Sequence, residues 1–363
     1  MTWIAVTQDQ TSAFERGAPT GLRVSRRAMA QSDDLTRGSL YLEADLQRWK
    51  HDDQALFVFH SNDPVHSHCA MHLGADATLT FSRRLDGEVR QVCMPINGAM
   101  IDGTLRVTVS WDCDRGTGLI SAELPDEGVL VQREMVAPLP WTQGDLHRLK
   151  TPRATFAFGP SLRCFGLSDG FEPVGLSPSL TDGTPILTPN GYVPIETLSA
   201  GDLVQTEQGP RAIRWITHRE VLARGRFRPI RLLAPYLGLK QDIILSPEQR
   251  IKISGTEVEY LFNEEAVLVP AQTFLHSNFA TWHPAPAVIR YHQLVLEGHG
   301  VIDVAGCPMD TMFIGDLREQ SDIMSTTVLA EASHSQLPVH HAMAYPALCN
   351  FEAITLRAAL LCR

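Results

Sequence analysis

The chain has 363 residues and a formal net charge of −10, a length that predicts two domains and a tail rather than one core. That charge argues against a nucleic-acid scaffold, whose affinity comes from Lys and Arg neutralising phosphates. No apolar run approaches the length that spans a bilayer. The opening Met1–Gly17 lacks the basic and apolar regions of a signal peptide, which points to a cytoplasmic setting or to export by a route that needs no such signal. Seven cysteines (Cys69, Cys93, Cys113, Cys164, Cys307, Cys349 and Cys362) are scattered without C-x-x-C spacing. Reduced thiols, rather than a disulfide framework, are expected, and no cofactor is implied.

Residues 1–160 read as all-β. Leu40–Leu46 alternates, Leu56–Phe59 is a buried run, and Ala77–Leu85 leads through Asp86-Gly87 into Val89–Met94. Leu105–Trp111 (LRVTVSW) alternates cleanly, turns at Asp112–Gly118 and returns as Leu119–Leu124. Turn signals at such spacing are those of a sandwich. The hairpin Gly103–Leu124 resembles the V-x-W-D-turn hairpin of concanavalin-like jelly rolls, such as laminin-G-like lectin and glucanase domains. That resemblance implies a lectin-like β-sandwich with a glycan or protein ligand. Paired Glu residues on one strand, which glycoside hydrolysis would use, do not appear, so a binding or structural module is expected over an enzyme.

Two features of this domain invite a metal. Asp112 and Asp114 beside Gly116 and Gly118 are conceivable calcium ligands, yet Asp and Gly are also ordinary turn residues, and the turn is the preferred reading. The segment His60–His72 holds His66, His68, Cys69 and His72. His66 and His68 would share one face of a strand, but the spacing fits no common zinc pattern. A polar loop entering a strand is expected, with no metal bound.

Thr151–Pro178 repeats Gly, Pro and Ser and suits an extended connector, assigned to residues 161–178. Cys164-Phe165 within it is read as a buried or linker cysteine.

Next comes GTPILTPNGYVPIETLSAGDLVQT, Gly183–Thr206. It reads as a strand, an Asn190-Gly191 turn, a second strand, the turn Ser199-Ala200-Gly201-Asp202 and a third strand. With its G-T, T-P-x-G, V-P-I-E-x-L and A-G-D-x-V runs it resembles the opening of the Hint fold, the self-cleaving module of inteins and hedgehog proteins, in its short bacterial form. The resemblance continues through Arg211–Val221 (RAIRWITHREV), Asp242–Ile253 (DIILSPEQRIKI), Leu261–Ala271 (LFNEEAVLVPA) and Tyr291–Gly306 (YHQLVLEGHGVIDVAG), covering roughly residues 172–316. A Hint domain is assigned to residues 179–316.

The resemblance carries site roles with it. The nucleophile, normally Cys, falls four residues before Gly-Thr, at Ser179. The Ser/Thr-Pro-x-His segment falls on Ser246, Pro247 and Gln249, so glutamine stands in the histidine's place. His299 fits the late-strand histidine. The candidate catalytic residues are therefore Ser179, Ser246, Gln249 and His299, and the family reaction is an acyl shift that breaks the Pro178–Ser179 amide. A serine needs a base more than a thiol of pKa near ~8.5 does, and glutamine does not titrate, so a weakened or lost reaction is expected. Full splicing is not expected, because Cys307-Pro308-Met309-Asp310 follows Gly306 where inteins carry His-Asn. No role is assigned to His292 or Gln293. The competing reading is a non-enzymatic binding protein with the Hint body as scaffold.

Residues 317–363 are expected to be a tail. Gln320–Gln336 is Ser/Thr-rich and reads as loop. Pro346–Leu361 has a helical composition, with Leu348, Phe351, Ile354, Thr355 and Ala358 near helical spacing. The whole reads as an all-β chain with a short terminal helix.

Overall fold

The computed structural model describes residues 3–7, 22–24, 33–49, 52–62, 65–96, 103–149, 156–275, 277–284 and 287–361. Residues 8–17 of the opening segment and 151–155 of the Gly/Pro/Ser-rich stretch lie outside them. Two compact units, Met1–Gly175 and Leu176–Arg363, make up the chain. Among the described residues, strands hold 47% and helices 15%, an all-β fold.

The first unit is a sandwich of a seven-stranded and a five-stranded sheet. The two expected hairpins pair antiparallel as their turns dictate, Thr78–Leu85 with Glu88–Pro95 and Thr104–Asp112 with Thr117–Leu124. Alternation sends Leu79, Phe81 and Arg83 inward and Thr80, Ser82 and Arg84 outward. Leu40, Leu42, Phe57, Phe59, Val107 and Phe165 fill the space between the sheets. Arg83 is buried in this unit beside Asp145, 2.7 Å away, with Trp141 under its guanidinium. Asp145 also closes a reciprocal cap with Thr142 at the start of helix Gln143–Arg148.

The expected connector 161–178 differs from the structure. Leu162–Ser168 is an interior strand of the seven-stranded sheet, between Trp3–Thr7 and Arg37–Asp45. Its Gly and Ser disguise it, while Leu162, Phe165 and Leu167 are fully buried. Cys164 is a buried residue of that strand. The strands Trp3–Thr7, Ser67–Leu73, Val129–Val136 and Phe156–Phe158 also join the sheets.

The second unit is built around the 14-residue strand Gly209–Leu222. Its start pairs with Leu203–Thr206, and the remainder with Val288–Leu296. A register shift between Ile213 and Trp215 lets one strand pass from the first partner to the second. The short strand Leu180–Thr181 bridges Val288–Leu296 and Ile243–Leu245. The segments that carried the Hint resemblance form strands here, Pro185–Thr188 with Gly191–Pro194, Ile243–Leu245, Arg250–Ser254, Ala266–Pro270 and Val301–Val304, while Leu261 and Phe262 end the helix Thr256–Phe262. Gly191 takes φ +111°, which an L side chain resists.

The tail is more ordered than its composition predicts. Met312, Ile314, Met324, Leu329, Ala332 and Leu337 bury themselves together with Val295. The terminal helix runs Asn350–Leu361 and packs Ala353 and Leu356 against the main core. Phe351 and Ile354, which fall near helical spacing with Leu348, are 79% and 44% exposed.

Candidate functional site

Ser179 is clamped by its backbone before its side chain is considered. Its N–H donates to the His292 carbonyl at 3.1 Å, and its own carbonyl accepts the Ser246 N–H at 2.7 Å. Leu180 stands opposite His292 in the antiparallel register, so Ser179 falls beside Gln293, and the two side chains leave the sheet on the same face. Gln249 arrives from the turn after Ile243–Leu245. Its N–H donates to the Ser246 carbonyl at 3.1 Å, and its carbonyl accepts the Ala271 N–H at 2.8 Å. The Ser246 hydroxyl accepts the Glu248 N–H at 3.3 Å. Ser246 therefore shapes the turn that presents Gln249, and its side chain is fully buried there.

The side chains then form one buried network. Ser179 Oγ donates to Gln249 Oε1. Gln293 Nε2 donates to Ser179 Oγ at 3.0 Å and to Gln249 Oε1 at 2.9 Å. Gln249 Nε2 faces Asp310 Oδ1 at 2.8 Å, the Arg250 carbonyl at 2.9 Å and the Asp310 carbonyl at 3.1 Å. These three groups only accept, so the amide nitrogen of Gln249 must lie on that side and its oxygen toward Ser179. Ser179, Gln249, Gln293 and Asp310 are each at most 5% exposed. Fully satisfied buried polar groups of this kind fix a single arrangement.

His299 does not reach Ser179. Its Nε2 lies 3.1 Å from the Thr311 carbonyl and 3.5 Å from Asp310 Oδ2, and its Nδ1 accepts the Ala344 N–H at 3.0 Å. It adjoins the network through Asp310, with Gln249 and Asp310 between it and the serine. Arg250 pairs with the same carboxylate at 3.3 Å. Among the described residues, the hydrogen-bond partners of Ser179 Oγ are thus two neutral carboxamides. The structure brings Ser179, Ser246 and Gln249 together, leaves His299 one residue removed, and adds Gln293 and Asp310. Gln293 carried a usable signal, since a glutamine inside the buried strand Val288–Leu296 must find partners.

On the opposite face of the bridging strand, His292 Nε2 meets Asp182 Oδ1 at 2.5 Å, and the His218 ring lies 5.7 Å from that of His292. Cys307, the thiol after Gly306, is buried, and burial pushes its pKa up to about 12. It is no thiolate at neutral pH.

The metal-like features of the sandwich disperse. Cys69 points into the core, where burial pushes its thiol to about 12, while His68 and His72 lie on the outer face. His66 Nδ1 faces Asn62 Oδ1 at 3.2 Å. Asp112 Oδ1 accepts the Arg115 N–H at 3.0 Å and so closes its turn. Among the described residues, no three His, Cys, Asp or Glu side chains are placed to hold a metal ion.

The Hint domain family matches residues 178–316. No curated protein matches the chain. Among solved structures, the chain is similar to the Ruminococcus gnavus IT-sialidase CBM40 at 12% identity, with 37% of this chain and 77% of that one covered and a TM-score of 0.28. It is similar to the Msm DnaB1 intein splicing domain bound with zinc at 15% identity, covering 36% and 98%, with a TM-score of 0.23. For the LG1-3 region of the laminin alpha2 chain the figures are 12% identity, 76% and 52% coverage and a TM-score of 0.26. Structural scores this low carry no argument about activity or ligands.

Proposed function

Residues 178–316 are a Hint domain, and on that premise we propose a protein of the autoprocessing type whose acyl shift at Pro178–Ser179 is silent. The two units then stay joined as one polypeptide. The observation that carries this reading is the bonding of Ser179 Oγ to Gln249 and Gln293.

The shift forms an ester between Ser179 Oγ and the Pro178 carbonyl carbon and breaks the C–N bond. The hydroxyl proton must leave Oγ, and the Ser179 nitrogen must gain one to depart as an amine. Water or another nucleophile would then take the acyl group. Neither carboxamide takes up or supplies a proton, and losing a positioned acid or base costs ~10²–10⁴ in rate, roughly 3–5 kcal/mol of barrier. Asp310, the nearest carboxylate in the network, is already turned toward the Gln249 amide and Arg250. An imidazole at position 249 would have Asp310 to orient it and residue 179 to act on, the geometry in which histidine serves as base.

Intact mass tests this reading. The native chain should stay full-length for days, with or without thiol or hydroxylamine. Ser179→Cys combined with Gln249→His should release a fragment ending at Pro178 when thiol is supplied, and each change alone should do much less. Adding Asp310→Asn to the active pair should slow release. Cleavage of the native chain would end the reading of silence. A folded double variant that never cleaves would show that the site geometry has gone as well.

With the junction silent, the remaining activity falls to binding. The outer face of the five-stranded sheet, with His60, His72, Arg84 and Gln91 exposed, supports a polar glycan or protein ligand for the sandwich. A glycan array probed with the full chain tests this, and uniformly blank signals would remove the glycan.

A further inference from the structure

We propose that residues 317–348 are a cap that closes the Ser179 site, latched by His299 and His340, so that reagents reach residue 179 only when the cap lifts. This rests on Ser179 being the reactive position of the Hint domain.

The cap has a small core of its own. Met324, Leu329, Ala332 and Leu337 cluster with Val295, and Leu176 and Trp215 pack against them. Two of these contacts bracket the site in sequence, since Leu176 precedes Ser179 by three residues and Val295 follows Gln293 by two. Thr217, the register partner of Gln293, donates its hydroxyl to the Val328 carbonyl at 2.8 Å. The cap therefore rests on the residue beside Gln293, which itself donates to Ser179.

The histidines fasten the far side. His340 Nε2 lies 3.0 Å from the Leu296 carbonyl and must donate to it, while its Nδ1 accepts the Ile314 N–H at 3.3 Å. Its backbone N–H donates to the Gly315 carbonyl at 2.9 Å. His299, already beside Asp310, accepts the Ala344 N–H on Nδ1 at 3.0 Å. Both rings thus hold the same tautomer, with hydrogen on Nε2 and a backbone amide on Nδ1. Beyond the latches, Tyr345 bonds to Glu207 and Lys252, and Leu348 donates to the Leu268 carbonyl at 3.0 Å. The segment is anchored at both ends and held between them by a minor cluster and short-range turns. Such a segment opens locally at a lower free energy than the body it covers.

The test uses the full chain with Ser179→Cys as a reporter, labelled with a maleimide and read by peptide mass mapping. Exposed Cys349 sets the unhindered rate, and buried Cys307 of the same unit reports global unfolding. Cys-substituted 179 should label at least about 100-fold more slowly than Cys349. His340→Ala should speed it roughly 10-fold or more while Cys307 stays unlabelled. Should that variant fail to fold, Leu329→Ala weakens the cap core without touching either latch and should act the same way. Labelling at the Cys349 rate in the otherwise native chain would overturn the cap. So would simultaneous labelling of positions 179 and 307 in the cap variants, because the site would then open only with the whole unit. Self-cleavage would appear in the same spectra as fragments ending at Pro178, which separates failure of the silent-site reading from failure of the cap.

Discussion

Arg83 and Asp145 in the sandwich lie as deeply buried as Ser179 and Gln249 in the Hint unit, yet the two clusters are built from opposite chemistry. The sandwich buries full charges and neutralises them with each other, with Ser67 Oγ at 2.6 Å from Arg83 and a helix cap around Asp145. The Hint unit sets its buried hydroxyl between two carboxamides that carry no charge, while its buried carboxylate, Asp310, meets the far side of Gln249 and pairs with Arg250. A buried charge pair is costly to break because each partner strands the other. The hydroxyl and the two carboxamides bonded to it lose less on any one deletion, but neither carboxamide takes up or supplies a proton at Ser179. The first arrangement suits an anchor, and the second fits the proposal of a silent junction.

The largest expected effect separates the two clusters directly. Arg83→Ala leaves Asp145 buried without its partner and should cost about 3–5 kcal/mol, a fall of roughly 10 °C in thermal midpoint. Arg83→Met with Asp145→Leu should recover most of it, since the pair is then removed together. Urea unfolding of the three chains measures this. A single change costing under ~1 kcal/mol would mean that water reaches the pair.

Gln249→Leu should be milder, about 1–3 kcal/mol, the price of buried groups left without a donor. Peptide-resolved hydrogen exchange should place the loss around Ile243–Leu245 and Asp310 and leave the sandwich unchanged. Equal losses from Arg83→Ala and Gln249→Leu would erase the contrast.

The pH response should come from the cap and not from the serine. Burial holds His340 below its ordinary 6.5, with His299 adding to the lowering, and the Leu296 carbonyl and Glu297 opposing it. The folded unit therefore favours neutral His340. That stability is fully present above pH 6.5 and is lost as pH falls through the lowered value. Asp310 also faces this pair of rings, through His299. Urea midpoints for Leu176–Arg363 should fall between pH 7.5 and 5, and His340→Gln should flatten that slope. A slope unchanged by the substitution would place the titration elsewhere.

The smallest effect is expected at His66 and His68. Zinc added to the chain should not raise its thermal midpoint, and His66→Ala with His68→Ala should alter neither midpoint nor zinc content. One tightly held zinc per chain, lost in that variant, would reverse this.

Much of the Hint unit was legible because its signals are local. The Asn190-Gly191 turn, the Ser199–Asp202 turn and the Ser-Pro turn before Gln249 each specify conformation over a few residues. The Hint resemblance that these runs carry implied Ser179, Ser246 and Gln249 as members of one site. That Gln293 needs partners was readable, but which atoms it meets was not, because its facing depends on the pairing of Val288–Leu296 with Leu180–Thr181, residues more than a hundred positions apart. A one-residue slip there would turn it to the other face. Leu162–Ser168 was hidden for a related reason. Its Gly and Ser read as connector, and only its position between two distant strands explains why its apolar residues are buried.

The Hint resemblance implies that serine and glutamine stand where a thiol and an imidazole would act, and the sequence by itself determined the all-β character of both units and the turns. Those are properties of residue type and short-range spacing. Only the tertiary structure decided that Ser179 Oγ is shared between two carboxamides, that Gln249 and Asp310 stand between His299 and the serine, and that a Ser/Thr-rich tail folds into a covered cluster. Each of these depends on strand register and side-chain packing between segments far apart in the chain, where pairing across the sheet, and not local propensity, sets which atoms meet.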